Sequence, residues 1–128
     1  MRTYTTHFKD SPPPGGPYSL AVAAEGKFIF IAGQGPWSPV TGNFERGTIA
    51  EQTRLTLDNI KRVIEAAGGK MENAVSARVF LQPMTEETFA EMNAVYAEYW
   101  GANKPTRTTI GAQLLGLDVE IDCVIALD

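Results

Sequence analysis

One cysteine and one histidine in 128 residues leave this chain short of the side chains that several chemistries need. A lone thiol closes no internal disulfide, and the place of Cys123 in an apolar run marks it as a buried small hydrophobe rather than a nucleophile. With His7 the only imidazole, a transition-metal site lacks its usual ligands, so no metal is expected. No apolar run approaches the roughly 18 residues that span a bilayer, and no basic segment followed by a hydrophobic one opens the chain. Blocks of like charge are missing too. A formal net charge of -4 argues against nucleic acid or an anionic membrane as the main partner. The expectation is a soluble, cytoplasmic protein of a reducing compartment, with small molecules or proteins as partners.

What is present fits one domain over residues 1–128, because 44% hydrophobic residues can build one core at this length but not two. Thr3–Phe8 alternates loosely, as an edge strand does, and Pro12-Pro13-Pro14-Gly15-Gly16-Pro17 then forbids a ladder or a helix. Leu20–Ala24 and Lys27–Ala32 are β-rich runs around Glu25-Gly26, a hairpin signal, with Phe28, Phe30 and Ala32 on one face and Ile29 and Ile31 on the other. Gly33-Gln34-Gly35-Pro36 ends that strand, as a plain turn or as a loop a ligand can approach closely. From Thr48 the period becomes 3.6, with Leu57, Ile60 and Ile64 on one stripe, Thr48 and Glu51 at capping-box spacing and Gly68-Gly69 as the stop. Ala74–Leu81 is a strand closed by Pro83. A second helix, capped by Thr85, carries Phe89, Met92, Tyr96 and Trp100 on its stripe. Asn93 sits within that stripe and must find a partner, in the core or on a ligand.

Two further strands close the chain, Pro105–Ile110 and Val119–Ala126. Arg107 is out of character in the first, since a guanidinium stays charged when desolvated; it faces either water or an anion. In the second, Glu120 and Asp122 share one face while Ile121 and Cys123 share the other. A short loop at Gly116 allows the two strands to lie side by side, making Arg107 and Glu120 either a weak cross-strand ion pair or a two-part site. Two long helices cannot cover both faces of such a sheet, so an α+β layer with both helices on one face is expected. Its bare face is expected to bury itself against copies of the same chain in a closed ring.

Gly16-Pro17-Tyr18-Ser19, Ala32-Gly33-Gln34, Glu51-Gln52-Thr53-Arg54, Ala66-Ala67-Gly68-Gly69, Met92-Asn93-Ala94-Val95-Tyr96, Lys104-Pro105-Thr106-Arg107-Thr108-Thr109 and Val119-Glu120-Ile121-Asp122, in this order, resemble the Rid family of reactive intermediate deaminases, also called YjgF. The resemblance spans nearly the whole chain. It implies a chorismate-mutase-like α+β fold with a mixed sheet, a homotrimer with sites between subunits, and cofactor-free hydrolysis of 2-imino acids or their enamine tautomers to 2-oxo acids and ammonia. By the same resemblance Arg107 would hold the substrate carboxylate and Glu120 the attacking water. Tyr18, Gly33, Asn93, Thr108 and Thr109 would line the substrate pocket. Members commonly carry a cysteine where this chain has Thr109, which leaves the Arg107 and Glu120 scheme intact and the identity of the substrate open. Aminoacrylate and aminomuconate deaminases, a carboxylate-binding sensor or chaperone, and an RNA-cleaving protein are the alternatives within the same resemblance.

Overall fold

The computed structural model describes residues 1–128. The elements run β1 (Arg2–Thr5), β2 (Ala21–Ala24), β3 (Phe28–Gln34), α1 (Ile49–Ala66), β4 (Ala74–Leu81), α2 (Glu86–Tyr96), β5 (Thr106–Gly111) and β6 (Val119–Ala126), with a 3-10 turn at Met71–Asn73. The four longer strands form a mixed sheet in the spatial order β3-β6-β4-β5. β6 is antiparallel to β3 and β4, whereas β5 is parallel to β4. A central place suits β6 because Val119, Ile121, Cys123 and Ile125 are all buried, and a strand with a strongly apolar inner row gains most between two neighbours. These residues pack with Ala77, Val79 and Leu81 of β4 against Leu57, Ile60 and Ile64 of α1 and Met92, Val95 and Tyr96 of α2. Both helices thus cover one face, the α+β layer expected from the pattern.

Helix boundaries follow their local signals. Thr48 Oγ1 accepts from Glu51 N at 3.0 Å while Glu51 Oε1 accepts from Thr48 N at 2.8 Å, closing the capping box. The chain leaves α1 through Gly68 at φ +92, a conformation that costs an L side chain strain. Thr85 caps α2, which stops at Tyr96, a turn short of Trp100. Trp100 still reaches the core, from a residue at φ 77 beyond the helix.

Two pairings differ from the sequence expectation. β2 and β3 make no hairpin: β2 pairs with β1 in a separate two-stranded ribbon, and β3 pairs with β6. Gly26, at φ +112, turns the chain out of one sheet into the other. Locally β1 and β2 or β2 and β3 serve equally well as ladders; the apolar inner row of β6, about 90 residues away, makes the choice. Second, β5 and β6 are not neighbours, because β4 lies between them. The loop between them arches over the end of β4, where Ala112 N donates to Leu81 O and Gln82 N to Asp118 O. β3 also runs on through Gly33 and Gln34, with a register shift between Ile31 and Gln34 that bends it at its end. β1 is shorter than expected, ending at Thr5.

Candidate functional site

Arg107 points from β5 into the layer beneath α2. Its register partner across the sheet is Ala77, a core residue, so it shares the helix-covered face. Nη1 donates to Asn93 Oδ1 at 2.7 Å, which answers the question of what partners the amide in the apolar stripe. The guanidinium carbon lies 4.9, 5.3 and 5.5 Å from the ring centres of Tyr96, Tyr18 and Phe89. Three aromatic faces attract the cation without neutralising it. No carboxylate approaches within ion-pair distance, and burial pulls the guanidinium below its ordinary range. Arg107 Nε and Thr109 Oγ1 are both buried without a hydrogen-bond partner. Arg107 and Thr109 border the same small cavity, of about 180 Å³, together with Gly15, Tyr18 and Phe89.

The proline- and glycine-rich loop forms the lid of this cavity. Ser19 anchors it to the start of β5, its N donating to Pro105 O at 3.1 Å and its Oγ to Lys104 O at 2.6 Å. Lys104 Nζ in turn donates to the carbonyls of Ala97, Tyr99 and Gly101, fixing the exit of α2. Tyr18 Oη accepts from Gly15 N, which sets its ring over Arg107. Gly16 packs directly on the guanidinium: a Cβ there would sit 2.8 Å from Nη2.

Glu120 belongs to another cavity. It pairs in register with Phe80, on the sheet face that no helix covers. Arg107 and Glu120 of one chain therefore lie on opposite faces of the sheet, two strands apart, and form neither the ion pair nor the side-by-side site that the loop length allowed. Strand parity decides this, since 107 falls with the inward row of β5 and 120 with the outward row of β6. Glu120 lies against the bent end of β3, where a Cβ on Gly33 would collide with its carboxylate and stand 3.1 Å from its Cδ. Trp37, Phe44, Leu114, Leu115 and Leu117, with the polar Gln34 and Gln113 and the Gly35 backbone, complete this cavity, of about 440 Å³. Thr108 also faces outward, opposite Arg78, and its side chain is exposed away from Arg107.

Of the residues that the resemblance names, the fold gathers Arg107, Tyr18 and Thr109 around one cavity, with Asn93 bonded to the guanidinium, and Glu120 with Gly33 around the second. Phe89 and Tyr96 were read only as core. Their spacing from Asn93, one turn before and one turn after, was the available signal that they would ring whatever Asn93 binds. Asn59, which with Ile60 is part of the family resemblance in the first helix, was given no role in the site. It is fully buried on α1, and its Nδ2 donates to Gly35 O at 2.8 Å and Trp37 O at 2.9 Å. Its Oδ1 accepts from Arg62, whose guanidinium lies over the Trp37 ring. An amide next to Ile60 on the stripe of Leu57, Ile60 and Ile64 was the trace it left.

The fold and its cavities define an α+β layer protein with a desolvated, acid-free arginine under one helix and a carboxylate beside a glycine on the bare sheet face. The sequence model of the Endoribonuclease L-PSP family matches residues 8–127. A RutC family protein of Pyrococcus horikoshii is 46% identical over 114 residues, 89% of this chain and 88% of its own. The mitochondrial protein mmf2 of Schizosaccharomyces pombe is 41% identical over 117 residues, 88% of this chain and 89% of its own. Among solved structures, the Rid family protein YyfB of Yersinia pestis superposes with a TM-score of 0.88 at 26% identity over 98% of each chain. RidA from an Antarctic Psychrobacter superposes with a TM-score of 0.71 at 28% identity, covering 98% of this chain and 100% of its own. The chain belongs to the Endoribonuclease L-PSP family, within the YjgF/RutC/Rid superfamily. No helix is long and apolar enough to cross a membrane.

Proposed function

We propose that this protein is a cofactor-independent imine and enamine deaminase, acting at sites between the subunits of a homotrimer. The observation that carries the reading is Arg107: a desolvated cation with no acidic partner, ringed by aromatic rings, lining one cavity with Thr109, whose hydroxyl is also unpaired. Burying such a charge costs stability, and a planar carboxylate bound in this cavity would offset it by pairing with the guanidinium. Arg107 and Glu120 lie on opposite faces of one chain, so a site that uses both draws Glu120 and Gly33 from a neighbour. That neighbour packs on the bare sheet face, where Phe30 is 78% exposed.

The chemistry needs little more. Arg107 fixes the carboxylate of a 2-imino acid, R–C(=NH)–COO⁻. Glu120 of the neighbouring subunit accepts a proton from water as the oxygen adds to the imine carbon, and that proton passes to nitrogen. The tetrahedral adduct breaks its C–N bond to give R–CO–COO⁻ and NH₃, so one water is consumed and no electrons are exchanged. Imines hydrolyse unaided, and orientation of the two reactants supplies the remaining acceleration. The family's name refers to RNA cleavage, but a chain of net charge -4 whose Arg2, Arg54 and Arg78 are tied to acids offers RNA little counter-charge. We place the protein in the reducing cytoplasm, where the buried free thiol of Cys123 is undisturbed.

The test is loss of a 2-imino acid generated in situ by an amino acid oxidase. Wild type should outrun buffer, Arg107→Ala should lose both turnover and 2-oxo acid binding, and Glu120→Gln should bind 2-oxo acids while turnover falls. Wild type no faster than buffer, with carboxylates still bound, would make the protein a carboxylate sensor instead.

A further inference from the structure

We propose that Trp100 is a positioning residue for Arg107, setting the direction of the guanidinium through the ring of Tyr96, and that Lys104 clamps Trp100 in the conformation this needs. This rests on the reading of Arg107 as a carboxylate anchor and names the residues that aim it. A bidentate grip on a planar carboxylate depends on the plane of the guanidinium as much as on its place, and a long side chain must have that plane fixed for it. Asn93 holds one end, at Nη1. Of the three rings around the cation, Tyr18 and Phe89 are only half-buried, whereas Tyr96 is fully buried and lies nearest, at 4.9 Å.

Behind Tyr96 stands Trp100, the two ring centres 5.3 Å apart at an interplanar angle of 44°. Trp100 is kept there against two local costs. Its backbone sits at φ 77, a left-handed conformation that a bulky L side chain rarely adopts, although the chain has a glycine in the very next position, at φ 74. Its indole is 2% exposed, yet Nε1 has no hydrogen-bond partner. A helix that needed only a stop has an unstrained one in glycine; the strained, buried indole is explained by the face it presents to Tyr96. The clamp is equally specific. α2 has no basic residue in its last turn, and Lys104 reaches back instead, Nζ donating to Ala97 O and Tyr99 O at 3.0 Å and to Gly101 O at 2.7 Å, on both sides of Trp100. The carbonyl of Lys104 accepts from Ser19 Oγ, so the lid above Arg107 and the ring stack behind it share one anchor.

The experiment compares Trp100→Phe, which keeps an aromatic face, with Trp100→Leu, which does not, and adds Lys104→Met, which leaves the indole and removes its clamp. Two readouts are taken well below the unfolding temperature: Kd for pyruvate by calorimetry, and the NMR signal of the Arg107 Nε–H, identified by its absence from Arg107→Met. Trp100→Phe should match wild type within about twofold in Kd and keep the signal in place. Trp100→Leu and Lys104→Met should bind pyruvate about tenfold more weakly and shift or broaden the signal, while the backbone amides of β4 and β6 stay where they are. Folded Trp100→Leu and Lys104→Met with a lower unfolding midpoint but wild-type values of both readouts overturn the positioning role, as does equal weakening by Phe and Leu. Should Trp100→Leu not fold, Lys104→Met decides by the same two readouts. A wild type that binds no pyruvate, with the signal still moved in the variants, sinks the carboxylate reading of Arg107 and supports the positioning.

Discussion

Arg107 shows how one residue can be costly to the fold and central to the site. Its burial is offset only by Asn93 and three aromatic faces, with no carboxylate to share the charge. Replacing a poorly compensated buried cation with an apolar chain of similar length is often neutral or stabilising. Arg107→Met should therefore unfold at the same denaturant concentration as wild type or gain about 1–2 kcal/mol, while 2-oxo acid binding disappears from calorimetry. A large loss of stability would mean that the guanidinium serves the core. Cys123 offers a second test, in pH. Burial pushes its thiol from about 9 up to about 12. Above pH 9 the unfolded chain sheds this proton while the folded chain keeps it, so the stabilisation is whole below pH 9 and drains away towards pH 12. Urea midpoints taken at pH 8, 9.5 and 11 should fall, and fall less steeply in Cys123→Ala.

Among the elements, α1 does more than cover the sheet. Its buried face mixes Leu57, Ile60 and Ile64 with Gln52 and Asn59, and each amide ties the helix to a segment bordering the Glu120 cavity. Gln52 Nε2 donates to Asp118 Oδ2 at 2.9 Å and Gln52 Oε1 accepts from Asp118 N, anchoring the chain just before β6. Asn59 holds the other wall at Gly35 and Trp37. Asn59→Leu would strand two carbonyls in a dry place, at a cost of about 3 kcal/mol in chemical denaturation. In the same variant, turnover should drop while the affinity of the Arg107 half for pyruvate stays within about twofold, since that half lies under α2.

For the whole molecule, the opposed faces of Arg107 and Glu120 mean that the proposed mechanism, which uses both, requires assembly. Arg107→Ala and Glu120→Gln should each be inactive alone. Unfolded together in equal amounts and refolded, they should recover about a quarter of wild-type activity, the fraction of interfaces in a randomly mixed ring that join an intact Arg107 to an intact Glu120. No recovery, with mixed trimers demonstrated by mass, would put both residues of a working site in one chain, which the sheet geometry does not allow, and so would remove Glu120 from the mechanism.

The local code was legible wherever a segment's preferences involve only near neighbours. The capping box at Thr48, the cap at Thr85, the inward row of β6 and the glycine exit from α1 were all written in short-range spacing. So was the oddity of Arg107 in a strand. Partner choice among strands was not, because β2 satisfies its backbone equally against β1 or β3 and a Gly-containing loop joins adjacent strands as readily as strands one apart. The long-range competition for the centre of the sheet, won by β6 and β4 with their buried apolar inner rows, put β4 between β5 and β6 and set Arg107 and Glu120 back to back. Sequence alone determined which residues carry charge and chemistry. Tertiary structure decided which of them can meet, since the face a side chain occupies depends on register, and register is settled only when every strand has found its neighbours.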